Sequence, residues 1–305
     1  MRRLAIKVDV DTLAGFQEGV PPLLALFQER GLRASFFVAM GPDNSGQAIW
    51  RLFTRKGFLH KMLRTRAPRL YGLKTLAYGT LLPAPMIVAS EPGLLRQVTA
   101  DGHELGIHGY DHVHWQDHLG RLPQEAIHLE LLRAQKIFIK VMGYGATAFA
   151  APGWQCTAAS LAALMTENFS YVSNTRGYGP YFPRFENRLF PILEIPTTLP
   201  TMDELLGLNG RTARDFNQEI RSRLRPGQSE VLTVHAEVEG RVYRDDFARL
   251  LDQLQTDGVE FSRLGDWAQE LLAAPQAIPT APVQEGTLPG RAGPVACQGP
   301  SEGQT

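Results

Sequence analysis

The chain has 305 residues, 44% hydrophobic and 20% charged, with 31 basic and 31 acidic side chains and a formal net charge of zero. That balance excludes a wholly disordered, collagenous or heavily membrane-embedded chain, and it offers no basic surplus for a general nucleic-acid binder. Two cysteines, Cys156 and Cys297, are too few for a disulfide scaffold or a thiolate zinc site and fit a reducing compartment.

The first predicted strand is Leu4–Val10. Lys7 and Asp9 interrupt its apolar run, so the start is not a signal segment. Helical spacing follows over Val20–Arg30 and stops at Gly31. Ala34–Ala39 is a second strand, and a helix over Glu91–Ala100 leads through Gly102 into a strand at Glu104–His108. Pro123–Met142 is a long helix with Ile127, Leu131, Ala134 and Phe138 on one face. Val141–Thr166 carries no charge, but its Gly143, Gly145, Pro152 and Gly153 make it turn, strand, loop and helix start rather than a membrane span. Strands at Thr147–Ala151, Tyr171–Asn174, Ile192–Ile195, Glu230–Ala236 and Val259–Phe261 alternate with helices at Thr157–Leu164, Phe216–Leu224, Asp245–Leu254 and Gly265–Leu272. Such alternation means βαβ units and parallel pairing. About seven units over residues 1–272 predict one α/β domain, an irregular (β/α) barrel of the TIM type.

Two stretches depart from this pattern. Residues 44–90 hold eight Lys/Arg and no acidic residue, interleaved with Trp50, Phe53, Phe58, Tyr71 and several leucines. This is a basic amphipathic insertion that predicts contact with an anionic membrane surface, through Arg51, Lys61, Arg64, Arg66 and Arg69. A solvated basic helix pair packed on the barrel is the simpler alternative. Residues 273–305 are Pro- and Gly-rich without a hydrophobic period, and predict an irregular or flexible tail.

The chemistry concentrates at predicted strand ends. Asp9 and Asp11, in Val8-Asp9-Val10-Asp11-Thr12, alternate onto one face, and two adjacent carboxylates need a cation or a shared proton. Taken alone the pattern also fits a phosphatase with an aspartyl nucleophile. That chemistry needs a later acidic pair after an apolar strand, whereas Asp245-Asp246 open a helix. Five of the eight histidines lie within His103–His118, and His108 and His112 are four apart. They can share a metal if the backbone turns helically there. His235 ends a β-branched run, and Pro152-Gly153-Trp154 form a turn after a strand. Asp9, Asp11, His108, His112 and His235 all fall at C-terminal strand ends, the face where barrel enzymes place their sites. One Asp and two His suit a catalytic divalent metal with open positions.

This set resembles the polysaccharide deacetylase (NodB-homology) family, through the Asp-x-Asp motif, the Gly102-to-His112 run and the strand-ending His235. Finer runs such as VAMGPDN from Val38, PTTLPTMDE from Pro196 and HAEVEG from His235 are similar to its deformylase branch. That branch acts on 4-deoxy-4-formamido-L-arabinose linked to undecaprenyl phosphate. The resemblance implies Asp11, His108 and His112 as ligands of one divalent metal, zinc before cobalt, manganese or nickel. It implies Asp9 as general base, His235 as general acid, and Pro152, Gly153, Trp154 and Arg176 at the substrate. It further implies a peripheral enzyme on the cytoplasmic face of the bacterial inner membrane, serving lipid A modification and resistance to polymyxin and cationic peptides. The alternative is a metal-dependent deacetylase of another N-acetylated sugar or glycolipid. Two positions depart from the family pattern. Ala150 stands where most members have an Arg bracing the base, so Arg176 is the expected replacement, and Asn174 stands near where an Asp often orients the acid.

Overall fold

The computed structural model describes residues 2–51, 62, 64, 72 and 74–301. Its centre is β1 (Arg2–Val10). β1 pairs in parallel with β2 (Ser35–Val38), β9 (Ser229–His235) and β10 (Val259–Ser262). From β2 the sheet continues, all parallel, through β3 (Glu104–Ile107), β4 (Ala148–Ala150), β5 (Tyr171–Ser173) and β8 (Leu193–Glu194). Just beyond β8, the N–H groups of Thr198 and Leu199 donate to the Val231 carbonyl of β9 at 3.2 and 3.1 Å, which brings the two ends of the sheet together. This is the irregular barrel the alternation predicts.

Strand alternation divides the core in two. Leu4, Ile6, Val8 and Val10 of β1 pack outward against the helices, together with Phe36, Ile107, Phe149 and Val234. Ala5, Phe37, Ala148, Ala150, Tyr171 and Val231 fill the inside. The inner residues of β3 and β4 are small for a reason. A Cβ at Gly106 would lie 2.6 Å from the Phe37 ring and 2.8 Å from the Ala148 carbonyl, so only glycine fits.

The outer layer includes α1 (Val20–Glu29), α2 (Pro92–Ala100), α3 (His112–His118), α4 (Gln124–Met142), α5 (Ala158–Leu164), α6 (Ala213–Arg223), α7 (Arg244–Thr256) and α8 (Leu264–Leu272). α4 carries the expected apolar stripe and ends on Gly143 at φ 82°, whose N–H caps the Ile139 carbonyl. After β1 and β9 the chain makes two wide π-type turns, Gly15–Gly19 and Val238–Val242. They pack backbone to backbone: a Cβ on Gly240 would come within 2.4 Å of the Gly19 carbonyl oxygen.

The tail is not irregular. β11 (Thr280–Gly286) and β12 (Val295–Gln298) form a second sheet with β6 (Phe182–Phe185) and β7 (Arg188–Leu189), in the order β12-β11-β6-β7. Ala281, Val283 and Ala296 close over Tyr181. The composition hides this because β11 and β6 each contain a proline, which argues against a strand. Here partners far along the chain supply the pairing.

In the basic stretch, Lys61, Arg66 and Arg69 lie outside the described residues. The two that are described are both held by protein groups. Arg51 Nε bridges both oxygens of Asp117 at 2.9 Å. Arg64 donates to the carbonyls of Asp203, Glu204, Leu206 and Gly290, capping the one-turn helix Met202–Leu205. Free helix-end carbonyls attract a guanidinium more strongly than a screened surface charge does.

Candidate active site

A cavity of about 230 Å³ opens at the C-terminal ends of the barrel strands, lined by Asp9, Asp11, His108, His112, Trp154, Asp203 and His235 among others. Asp11 follows β1 directly. Its N–H and that of Thr12 donate to Glu237 Oε1 at 3.0 and 2.8 Å, which fixes the loop. Burial, reinforced by the charge of Asp11, pushes the Glu237 carboxyl up to about 8.

His108 leaves β3 with its Nδ1 2.9 Å from the Ala150 carbonyl. A carbonyl only accepts, so Nδ1 carries the proton and the Nε2 lone pair faces Asp11 Oδ1, another acceptor, 3.2 Å away. His112 does not reach the site through a helical i, i+4 relation, as the spacing alone predicts. The chain reverses at Gly109, φ 77°, and His112 is the first residue of α3. Asp111 caps that helix by accepting from the His114 N–H at 2.9 Å. His112 Nε2 lies 3.4 Å from Asp11 Oδ2. Burial and the neighbouring His108 push the His112 ring down to about 4, so it is neutral at pH 7. Burial alone would raise Asp11, but the two imidazoles hold it below the usual carboxylate range.

Asp11, His108 and His112 offer three ligand atoms within 4.8 Å of one another. Asp11 Oδ1 is buried and accepts no hydrogen bond among the described residues. A neutral nitrogen lone pair held against a buried carboxylate is unfavourable unless a cation lies between them. The residues therefore fit a divalent metal.

Asp9 is 2% exposed and its Oδ2 is 3.1 Å from Lys7 Nζ. Lys7 is fully buried on the same inner face of β1 and lies 5.6 Å from the Trp154 ring and 5.7 Å from that of Phe37. The cation bracing Asp9 is thus Lys7 and not Arg176. Strand alternation places residues 7, 9 and 11 on one face, but only the closed interior makes a lysine there the partner of Asp9. Arg176 instead pairs with Glu204 at 2.6 Å and lies 4.9 Å over Trp154. His235, ending β9, has its Nδ1 3.9 Å from Asp203 Oδ1 and meets the Trp154 ring edge-on at 6.1 Å. The carboxylate beside His235 is therefore Asp203, whereas Asn174 is buried with no hydrogen bond to its side chain among the described residues.

Gly153 and Trp154 line the cavity, but Pro152 does not. Pro152 packs beneath the turn, where a Cβ on Gly109 would lie 3.0 Å from its Cγ. Trp154 takes φ 53° and donates its indole N–H to the Thr197 hydroxyl at 3.0 Å. Arg291, from the tail, donates to the Gly153 carbonyl at 2.9 Å and lies 4.5 Å over Trp154.

Residues 3–172 match the family model described as polysaccharide deacetylase. The chain is 38% identical over 259 residues to a probable 4-deoxy-4-formamido-L-arabinose-phosphoundecaprenol deformylase of Shewanella sediminis, covering 85% of this chain and 83% of that one. It is 32% identical over 286 residues to a protein of the same name from Wigglesworthia glossinidia brevipalpis, covering 93% and 98%. Among solved structures, a probable polysaccharide deacetylase from Pseudomonas aeruginosa superposes with a TM-score of 0.61 at 18% identity, over 90% of this chain and 92% of that one. That likeness speaks for the fold.

Removing the cation beside Asp9 should be severe. Lys7→Met leaves a buried carboxylate unpaired and should destabilise the chain by roughly 3–5 kcal/mol. Lys7→Met/Asp9→Asn should recover most of that loss. Urea unfolding of the unaltered chain, the two single variants and the double variant checks it, and additive losses in the double variant would show that the two side chains are not coupled.

Proposed function

Since the chain belongs to the polysaccharide deacetylase family, we propose that it is a metal-dependent amidohydrolase. Its substrate is 4-deoxy-4-formamido-L-arabinose carried on undecaprenyl phosphate, and its products are formate and the free amine that modifies lipid A. One observation carries the chemistry: a ligand set of Asp11, His108 and His112 shares a cavity with an acid–base pair, Asp9 and His235. The formyl assignment is supported by the names of the two relatives.

Held by Asp11, His108 and His112, a divalent ion would supply Lewis acidity toward the amide carbonyl and the attacking water. Zinc, cobalt, manganese or nickel suits that donor set, with zinc the expected one. The rest is done by side chains. Lys7 holds one oxygen of Asp9, and the other, Oδ1, is buried without a hydrogen bond among the described residues. That oxygen takes a proton from the water as it attacks the formyl carbon. His235, beside Asp203, protonates the sugar nitrogen as the C–N bond breaks. Trp154 walls the cavity next to His235 and bounds the space for the acyl group.

The reading extends to a membrane surface. Among the described residues no helix is long and apolar enough to cross a bilayer. Ile49, Leu81 and Leu82 of the basic stretch are exposed, Leu81 by 89%. Cations and exposed aliphatics together favour peripheral attachment to the inner membrane's cytoplasmic face.

Asp11→Ala, His108→Ala and His112→Ala should each lose metal by elemental analysis and abolish formate release, whereas Asp9→Asn and His235→Ala should keep the metal and lose rate by roughly 10²–10⁴-fold. Full metal occupancy in any of the first three removes that residue from the ligand set. On acyl choice, an acetyl methyl pressed against a packed wall costs about 1–3 kcal/mol, or roughly 5- to 150-fold in rate. Paired kcat/KM values on formamido and acetamido lipids should therefore favour formyl. Equal values would instead support a deacetylase of other N-acetylated sugars. Finally, binding to vesicles containing anionic lipid should weaken as salt rises. Retention in high salt, with release only by detergent, would contradict surface attachment.

A further inference from the structure

The cavity carries two guanidinium groups that the acid–base chemistry does not use, Arg51 and Arg291. Arg51 commits its Nε to Asp117, while its Nη2 is buried and meets no hydrogen-bond acceptor among the described residues. A charged donor left buried without an acceptor is costly, so its native partner is most simply a bound ligand. Arg291 arrives from the opposite end of the chain. The strand pair β11–β12 carries it to the cavity, where it is fastened to the Gly153 carbonyl and held over Trp154. Apart from the arginines and the Asp/His cluster the lining is largely apolar, with Ile49, Met62, Leu76 and Val113. A neutral polysaccharide has nothing that calls for two guanidinium groups beside an apolar wall.

We propose that Arg51 and Arg291 form the binding site for the phosphodiester of a lipid-linked sugar, with the apolar wall receiving the first isoprenoid carbons. This rests on the lipid-linked reading given above and deepens it. The sugar then spans the cavity between two fixed ends, its amide at the Asp/His cluster and its phosphodiester at the arginines. Guanidinium groups suit this task because their N–H donors match phosphate oxygens in pairs. The tail thereby becomes part of the substrate site.

The test compares two substrates on the metal-loaded full chain: the formamido-arabinose joined by a phosphodiester to a farnesyl group, and its uncharged methyl glycoside. Arg291→Gln and Arg51→Gln should each lower kcat/KM on the phosphodiester by roughly 10- to 150-fold, the usual worth of a charged hydrogen bond. The loss on the methyl glycoside should be smaller by about tenfold or more, and Arg51→Lys should recover part of the phosphodiester rate. Equal losses on both substrates, or none, overturn the proposal. If the unaltered chain hydrolyses neither substrate, the deformylase reading fails, and calorimetric binding of farnesyl phosphate still tests the arginines. That binding should weaken in both variants, and unchanged affinity overturns the proposal. Inorganic phosphate bound as tightly as farnesyl phosphate would assign the site to the free ion and likewise overturn it. Metal content equal to that of the unaltered chain confirms that each variant is folded.

Discussion

The Lys7–Asp9 pair sets the terms for the rest of the molecule. Both side chains lie inside the barrel, 0% and 3% exposed, at 3.1 Å. Both are almost wholly screened from bulk solvent, so each charge would cost several kcal/mol without the other. The pair belongs to β1, the strand with three partners, and so ties the site to the best-anchored backbone in the fold. It also explains the small residues around it. Gly106, Ala148 and Ala150 leave width for Phe37 and the lysine stem, which a ring of larger side chains would fill.

Around that pair, buried glutamates hold the strand ends. Backbone N–H groups just past a strand have lost their ladder partners and need acceptors. Glu237 serves Asp11 and Thr12, Glu239 serves His235, and Glu194 serves Asn174 and Thr175. Burial raises these carboxyls to about 8, 8 and 7 respectively. The loops carrying Asp11 and His235 are thus fixed from beneath by side chains that never enter the cavity. A donor set held this way would need little rearrangement to bind an ion.

Much of this was legible in the residues. Helix spacing located α4 to within a residue, and strand alternation put Asp9 and Asp11 on one face. The histidine pair could be found because both rings lie near one strand in sequence. What stayed hidden depends on distant parts of the chain. Lys7 reads as an interruption of an apolar strand until the strand is known to line a narrow interior. Asp203 is not marked by its neighbours as the partner of His235, since 31 residues, including α6 and most of β9, lie between them. Arg51 and Arg64 look like lipid contacts from charge alone, because Asp117 and the carbonyls of residues 203–206 are remote in sequence. β11 contains a proline and gains its order from pairing with β6.

The position of β1 has a temporal side. It leaves the ribosome well before β9, yet one of its edges pairs only with β9, and the loop after it hangs from a glutamate 226 residues further on. At translation speeds of about 5–20 residues per second, that edge waits roughly 10–40 s for its partner. Through that interval the strand is a template for unwanted pairing, and a lysine and an aspartate on its inward face oppose it, since a charge on an unpaired strand disfavours stacking against another chain. The same two side chains that later share the barrel interior therefore act first as guardians of the nascent chain.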